Sequence, residues 1–244
     1  MITEQDKQNM PLIKIDHLTY EPVKGLKVID DITINFHLGE NTVVTGSPGS
    51  GKSSLLALIC GIYSTFLGSI YFNKEKISYK SREDIAYTSS ALSLKGRRTP
   101  KEYKKLLGTF FGNFSESTFD MLTEKFHIDE DEPVSSMDSQ KLDLLRMTIA
   151  FSRKCLLYAL DEPLQSFPLE ERIELLKYFF DMAEDSTIIA VTELNELTEP
   201  LFSRLLCLKN GRIQTYDSIE FLKLKNSGFK QGFSEDSERG GENE

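Results

Sequence analysis

The sequence predicts an α/β fold with a mainly parallel central sheet, an antiparallel β layer before it and a helical insertion within it. A continuous apolar run at 156–160 and the mostly apolar stretch 187–192 are typical of strands buried on both faces of a parallel sheet. Alternating apolar and polar residues at 12–20 and 29–36 are typical of antiparallel strands with one face in water. Residues 103–126 instead carry apolar side chains at helical spacing, which predicts the insertion.

The overall composition is that of a globular protein with one large domain or two small ones. The chain has 244 residues, of which 39% are hydrophobic, a net charge of −9 and a pI near 5.0. This acidic balance argues against a broad nucleic-acid-binding surface, so we expect no nucleic acid partner. One local basic cluster stands out, and a solvated face is its simplest interpretation. Its members are Lys95, Arg97, Arg98, Lys101, Lys104 and Lys105.

The N-terminal segment and the apolar runs give no sign of a membrane span. No apolar run approaches the roughly 20 residues that cross a bilayer, and residues 1–10 lack the apolar core of a signal peptide. Three cysteines, Cys60, Cys155 and Cys207, lie among apolar neighbours, so we expect buried thiols in a reducing compartment. The three histidines are isolated, and we expect no metal site from them. We therefore expect a cytoplasmic protein.

The most informative stretch is 42–54, an apolar strand that runs into a glycine-rich turn and then into a helix. Its turn satisfies the pattern G-x-x-x-x-G-K-[ST], in which backbone N–H groups surround phosphate oxygens, the lysine reaches the terminal phosphates and the hydroxyl holds magnesium. β-Branched residues before it and the apolar run 55–59 after it supply the strand and helix that the pattern requires. The predicted ATP-binding residues are Gly46, Ser47, Pro48, Gly49, Ser50, Gly51, Lys52, Ser53 and Ser54.

The insertion is predicted to begin with a capped helix. Thr99 can cap, Pro100 suits the first helical position and Glu102 can reach back to the cap. Apolar residues then recur at helical spacing in two stretches, Tyr103, Leu106, Leu107, Phe110 and Phe111, followed by Phe119, Leu122 and Phe126. A return to helix over 140–151 precedes the first buried strand.

The remaining elements follow from local patterns. Further strands are predicted at 68–72, 77–79, 84–88, 205–208 and 212–215, and further helices at 170–183 and 218–224. The first of these helices should bury Leu175, Leu176, Tyr178, Phe179 and Met182. Asn210-Gly211 predicts a hairpin turn between the last two strands. The polar tail from residue 227 is expected to be disordered.

Two adjacent carboxylates are the candidates for metal binding and catalysis. Asp161 and Glu162 follow a buried strand, so we expect both to project from the carboxyl edge of the parallel sheet, where α/β proteins bind ligands. One can hold magnesium together with Ser53, and the other can orient or deprotonate an attacking water. A capping Asp-Glu-Pro turn is the structural alternative.

The order of these parts resembles the nucleotide-binding domain of ATP-binding cassette (ABC) transporters. The resemblance covers about residues 12–225 and implies a P-loop NTPase core over 1–226, with a helical subdomain inserted at about 92–154 and a tail over 227–244. It makes 46–54 a Walker A loop and 160–163 the end of a Walker B strand, with Glu162 as the catalytic residue. Tyr20 lies where the family places an aromatic residue against adenine. An ordinary strand-end tyrosine is the alternative.

Four other family positions depart from the expected residues. Ser90 stands where the family has a glutamine, which senses magnesium and the membrane partner, and Pro168 replaces the aspartate of the turn after Walker B. Glu193 replaces a histidine beside the γ-phosphate, and an acidic group there should repel the triphosphate. For the Leu-Ser-Gly-Gly-Gln signature the chain offers 134–138, in which Ser135 is kept but Met137 replaces a glycine.

The resemblance implies an ATP-binding subunit that binds ATP and Mg²⁺, docks on a separate membrane-spanning subunit and pairs with a second cassette as a homodimer or heterodimer. It would then lie on the cytosolic face of the membrane. Because four positions depart, we expect hydrolysis to be weak or to depend on a partner cassette. The alternatives are a hydrolysis-deficient regulatory module, in which ATP controls dimer or complex assembly, and a soluble ATPase acting on nucleic acid or protein.

Overall fold

Two β-sheets and a helical insertion make up the computed structural model, which describes residues 11–90, 94, 96–183 and 185–216. The strands are β1 (Pro11–Tyr20), β2 (Ile29–His37), β3 (Asn41–Thr45), β4 (Leu67–Phe72), β5 (Glu75–Lys76), β6 (Ile85–Ser89), β7 (Leu157–Asp161), β8 (Thr187–Val191), β9 (Arg204–Lys209) and β10 (Arg212–Tyr216). The α-helices are α1 (Lys52–Ile59), α2 (Pro100–Phe110), α3 (Glu116–Lys125), α4 (Ser139–Phe151) and α5 (Leu169–Met182). The predicted α/β class is confirmed.

The first sheet is the predicted antiparallel layer, with the order β2-β1-β4-β5. Side chains of β1 alternate between the two faces, so that Ile13 and Ile15 are fully buried while Lys14 between them is exposed. The buried face packs against α1, whose Leu55 and Leu58 belong to the same core cluster. The layer therefore covers one side of the helix that follows the phosphate loop.

The second sheet carries the candidate site and has the order β10-β9-β3-β8-β7-β6. Strands β10 and β9 pair antiparallel, and the other four pairs of neighbouring strands, from β9 to β6, are parallel. Strands β7 and β8 are buried at every position, which explains why all their residues except Asp161 and Thr187 are apolar. Because β3 and β7 are parallel, the loops that leave their carboxyl ends lie at the same edge of the sheet.

The hairpin between β9 and β10 turns at the predicted dipeptide. Asn210 and Gly211 have φ angles of 52° and 74°, the left-handed values that a two-residue hairpin turn needs. Arg212 pairs with Lys209 directly across the turn. The predicted helix 218–224 and the predicted tail lie outside the described residues.

The insertion contains α2, α3 and α4 around a small core of its own. The predicted capping box is present, because the Thr99 hydroxyl accepts from the Glu102 N–H at 3.3 Å and the Glu102 carboxylate accepts from the Thr99 N–H at 2.9 Å. Leu107 and Phe119 are buried in this core. Phe110 was expected on the buried face but is 73% exposed, since it lies at the last turn of α2 beyond the packed surface.

One local strand prediction is wrong. Residues 77–79 do not form a strand: β5 ends at Lys76, and Tyr79–Glu83 forms a 3₁₀-helix because the Ser78 hydroxyl caps it by accepting from the Lys80 N–H. The predicted face of α5 packs against the core: Leu175, Tyr178 and Met182 are half-buried against it, and Ile173 and Phe180 are buried in addition. The two predicted residues Leu176 and Phe179 are buried.

One buried arginine joins the insertion to the sheet. Arg153, just after α4, is 7% exposed and donates hydrogen bonds to the carbonyls of Arg82, Glu83 and Ile85 at 2.7–3.2 Å. Its guanidinium lies 3.6 Å from the ring centroid of Phe111 at the end of α2. Burial lowers the pKa of this guanidinium. A single cation thus holds together the segment before β6 and the ends of two helices.

No helix among the described residues combines the length and the apolar character needed to cross a membrane. The three cysteines are buried and unpaired, as expected. Burial raises the pKa of the Cys155 thiol to about 11, so that this thiol stays protonated at neutral pH.

Thr42→Val is expected to stabilise the fold. Thr42 on β3 is fully buried and its Oγ1 has no hydrogen-bond partner among the residues that the structure describes, so a methyl group in its place removes a desolvated hydroxyl. We expect the free energy of unfolding in urea to rise by about 1 kcal/mol. Thr187→Val is the matched control, because the hydroxyl of this fully buried residue donates to the His37 carbonyl at 2.9 Å and its loss should destabilise. Equal destabilisation by both substitutions would contradict this assignment.

Candidate nucleotide-binding site

The glycine-rich turn between β3 and α1 has the backbone that a phosphate loop requires. Gly46, Gly49 and Gly51 all have positive φ angles. A Cβ on Gly46 would lie 2.3 Å from the Leu208 carbonyl oxygen, and a Cβ on Gly51 would lie 2.9 Å from the Val28 carbonyl oxygen. Only glycine therefore fits at these two positions, and the chain can bend tightly around a small anion.

Positive charge is concentrated at the mouth of this turn. The Lys52 ammonium donates to the carbonyls of Gly46 at 2.8 Å and Ser47 at 3.0 Å, which holds it over the loop. Helix α1 begins at Lys52, and its N-terminus receives no side-chain cap from Gly51. The partial positive charge of the helix N-terminus is thus added to that of the ammonium. Of the other predicted loop residues, Ser47, Pro48, Gly49 and Ser53 are exposed, and Ser50 and Ser54 are half-buried.

The two predicted metal ligands, Ser53 and Asp161, are in direct contact. The Ser53 hydroxyl at the start of α1 donates to Oδ1 of Asp161 at 3.0 Å. Asp161 is the last residue of β7 and is only 4% exposed. A hydroxyl and a buried carboxylate at the edge of a phosphate loop form an oxygen donor set that fits Mg²⁺.

Two further hydroxyls converge on the same carboxylate. Ser89 donates to Oδ2 of Asp161 at 3.2 Å, and the Tyr87 phenol lies at 3.4 Å from the same oxygen. Burial raises the pKa of Tyr87, which keeps the phenol a donor. The sequence prediction missed both residues, although Tyr87 lies on the predicted strand 84–88 and Ser89 follows it directly. Only the pairing of β6 with β7, with Ser89 opposite Asp161, reveals the contact.

Glu162 differs from its neighbour in exposure and in backbone conformation. Its side chain is exposed, whereas that of Asp161 is buried, so only one of the two carboxylates is free to meet solvent. Its φ angle is 52°, and its N–H donates to the Val191 carbonyl at 2.9 Å. The residue therefore lies at the sheet edge in a strained conformation that a neighbouring strand supports.

Tyr20 is engaged with another aromatic side chain. Its ring stacks on that of Tyr63, with centroids 5.3 Å apart and an angle of 11° between the planes. Tyr63 follows α1 and is 41% exposed. The sequence prediction did not single out Tyr63, because only the fold brings the end of α1 beside the end of β1. The stacking of Tyr20 on adenine stays a prediction.

The positions that depart from the family pattern are spread around the site. Ser90 and Ser135 are exposed, as are Pro168 just before α5 and Glu193 just after β8. Met137 is only 7% exposed because it packs in the core of the insertion. The next residue, Asp138, caps α4 by accepting from the Lys141 N–H at 2.8 Å.

Comparison with curated proteins finds ATP-binding proteins of transport systems. The chain is 27% identical over 205 residues to the xylose import ATP-binding protein XylG of Yersinia pestis, a match that covers 77% of this chain and 40% of that protein. It is 25% identical over 211 residues to the arabinose import ATP-binding protein AraG of Pectobacterium atrosepticum, covering 80% and 42%. It is 24% identical over 245 residues to the nisin transport ATP-binding protein NisT of Lactococcus lactis, a match that covers 90% of this chain and 40% of that protein. The chain thus spans about two fifths of the length of these relatives.

Solved structures share the fold. An ATP-binding subunit of an ABC transporter superposes with a TM-score of 0.75 at 20% identity, covering 88% of this chain and 93% of the other. A bacterial Atm1-family ABC exporter with ATP bound gives a TM-score of 0.78 at 15% identity, and the match covers 96% of this chain and 43% of the exporter chain. A family model described as "ABC transporter" matches residues 29–165, more than half of the chain. The chain therefore belongs to the ABC transporter family.

Proposed function

We propose that this chain is the ATP-binding subunit of an ABC transporter, which binds ATP with Mg²⁺ and couples its binding and hydrolysis to transport through a separate membrane-spanning subunit. The observation that carries the proposal is the contact between the Ser53 hydroxyl and the buried Asp161 carboxylate beside the phosphate loop. The relatives named for xylose import, arabinose import and nisin transport support the transport role. In this role the chain lies in the cytoplasm, on the cytosolic face of the membrane.

Different groups of the site bind different parts of ATP. Backbone N–H groups of 46–54 and the N-terminus of α1 bind the phosphate oxygens, and Lys52 turns from the Gly46 and Ser47 carbonyls towards the terminal phosphates. Ser53 and Asp161 would hold Mg²⁺, which neutralises phosphate charge when it is bound. Tyr20 would supply a stacking surface for adenine. These groups account for nucleotide affinity without any of the departing positions.

Hydrolysis would depend on Glu162, whose exposed carboxylate can orient and deprotonate water. Glu193 and Ser90 replace side chains that help this step in the family, so we propose a weak rate that rises with a partner cassette. The partner would be a second copy of this chain or a different cassette with a glycine-containing signature. A well-preserved signature on that partner would complete the site built on Lys52.

The exposed arginines before α2 provide a test of docking on the membrane subunit. Arg97 and Arg98 are exposed in the segment 89–103, which we propose lines the groove between sheet and insertion. Lys95 and residues 91–93 of this segment lie outside the described residues. We expect Arg97→Glu with Arg98→Glu to weaken co-purification with the membrane subunit about tenfold and to leave ATP affinity unchanged, because rim charges act mainly on association. An equal loss of co-purification and of ATP affinity would contradict the placement of Arg97 and Arg98 in the docking groove.

Phosphate release tests the proposed function as a whole. It should be measured for the purified chain alone, and then with its membrane subunit and any partner cassette. We expect a low rate alone and a higher rate in the assembled complex. A rate that stays at background in the complex would contradict the transport motor and would favour a regulatory module that binds ATP without turnover.

A further inference from the structure

The loop that carries Glu162 has a strained backbone. Both Glu162 and Leu164 have positive φ angles, 52° and 56°, although neither is glycine. Such conformations persist only where the surrounding structure fixes them. Residues 162–168, which we call the base loop, must therefore be held by contacts outside themselves.

The contacts on one side come from α4 of the insertion. Asp143 is 6% exposed, and its Oδ2 accepts from the N–H of Ser166 at 3.0 Å. One turn earlier, the Gln140 side-chain amide donates to the Ser166 carbonyl at 3.3 Å. A single stretch of α4 thus satisfies both backbone groups of one base-loop residue, even though that residue is exposed.

The contacts on the other side come from α5. The Arg172 guanidinium donates to the carbonyls of Gln165 at 3.2 Å and Phe167 at 3.0 Å. The side chains of Leu164 and Phe167 are buried in the core between these helices. The base loop is therefore clamped between one helix of the insertion and one helix of the parallel-sheet domain.

The carboxylate in this clamp has a partner for its charge. The Arg146 guanidinium donates to Oδ1 of Asp143 at 2.7 Å, and its own side chain is 15% exposed. Because a buried carboxylate needs a partner, this pair compensates the charge of Asp143 and fixes which oxygen faces Ser166. A charged acceptor also makes the bond to the Ser166 N–H stronger than a neutral one would.

We propose that Asp143 is a positioning residue for ATP hydrolysis, acting through the Ser166 N–H to hold the base loop so that the Glu162 carboxylate stays at the sheet edge beside Asp161. This inference rests on the proposed function. Among the described residues the Asp143 carboxylate accepts hydrogen bonds from Ser166 and Arg146 and from no residue of the phosphate loop, so its effect is on the rate of the chemical step and not on nucleotide affinity. Helix α4 begins just after the segment where we place the signature, which ties that segment to the base loop.

Hydrogen exchange tests the contact without requiring turnover. In Asp143→Ala the Ser166 amide should exchange at least about tenfold faster, because its acceptor is lost. In Asp143→Asn a single side-chain oxygen remains for two donors, the Ser166 N–H and the Arg146 guanidinium, so the exchange rate should lie between those of the parent and of Asp143→Ala. Glu174→Ala, which removes an exposed carboxylate from α5, is the matched control and should change nothing. Unchanged Ser166 exchange in Asp143→Ala would overturn the proposal.

Steady-state kinetics of the assembled transporter tests the consequence. Asp143→Ala should lower kcat for ATP about tenfold or more with KM within about twofold, and Asp143→Asn, which keeps one of the two acceptor oxygens, should give a kcat between those of Asp143→Ala and the parent. A KM that rises while kcat is kept, or a kcat unchanged despite faster Ser166 exchange, would overturn the proposal. An absence of turnover in the parent complex would remove the proposed function itself, and this result is distinct because it appears before any substitution is made.

Discussion

Glu162→Gln is expected to lower the rate of ATP hydrolysis by about 10²-fold or more while it leaves the affinity for ATP unchanged. The substitution keeps the size of the side chain but removes the carboxylate that we propose accepts a proton from water. The Glu162 side chain is exposed at the sheet edge, one residue beyond the buried Asp161. The loss should therefore fall on kcat, measured by phosphate release from the assembled complex.

The matched control for this prediction is Glu171→Gln, which changes an exposed carboxylate in the first turn of α5. It should leave both the rate and the affinity within about twofold of the parent, since it lies outside the site. If Glu162→Gln keeps the parental rate, Glu162 is not the base. If it loses ATP binding to the same extent as turnover, its role is in the binding site and not in the chemical step.

Arg153→Met is expected to destabilise the protein by about 3 kcal/mol or more. The substitution leaves the carbonyls of Arg82, Glu83 and Ile85 without their common donor, and these carbonyls lie in the protein interior or at its margin. It also removes the cation from the Phe111 ring. For a chain of this size, such a change should lower Tm by roughly 6–12 °C.

The neighbouring lysine provides the control. Lys154 is exposed, and Lys154→Met removes a positive charge one residue away without opening a buried carbonyl. Its Tm should change by about 2 °C or less. Similar losses of stability in the two variants would mean that the charge, and not the buried hydrogen bonds of Arg153, is responsible.

The parts of the fold that the sequence predicts are those whose signal is local. The apolar runs of β7 and β8, the capping box at Thr99 and the turn at Asn210-Gly211 each depend on neighbouring residues, and each is present. The strand at 77–79 failed because one serine hydroxyl at Ser78 caps a 3₁₀-helix, an effect that apolar periodicity does not register.

Contacts between distant segments explain what sequence reasoning missed at the site. Ser89 and Tyr87 reach Asp161 because β6 lies beside β7, although the two strands are separated in sequence by the whole insertion. Tyr63 meets Tyr20 for a similar reason. The phosphate loop could be predicted because all its binding groups come from one short stretch, and the hydroxyls around Asp161 could not because they come from several strands.

The central claim is that the turn at 46–54, with Lys52, binds the phosphates of ATP. It is tested most directly by equilibrium titration of the purified chain with labelled ATP and Mg²⁺, comparing the parent, Lys52→Ala and the exposed control Lys27→Ala. We predict saturable binding to the parent and to Lys27→Ala, and an affinity at least about tenfold weaker for Lys52→Ala because the terminal phosphates lose their cation. A parent that shows no saturable binding, or a Lys52→Ala variant with the parental affinity, would contradict the account.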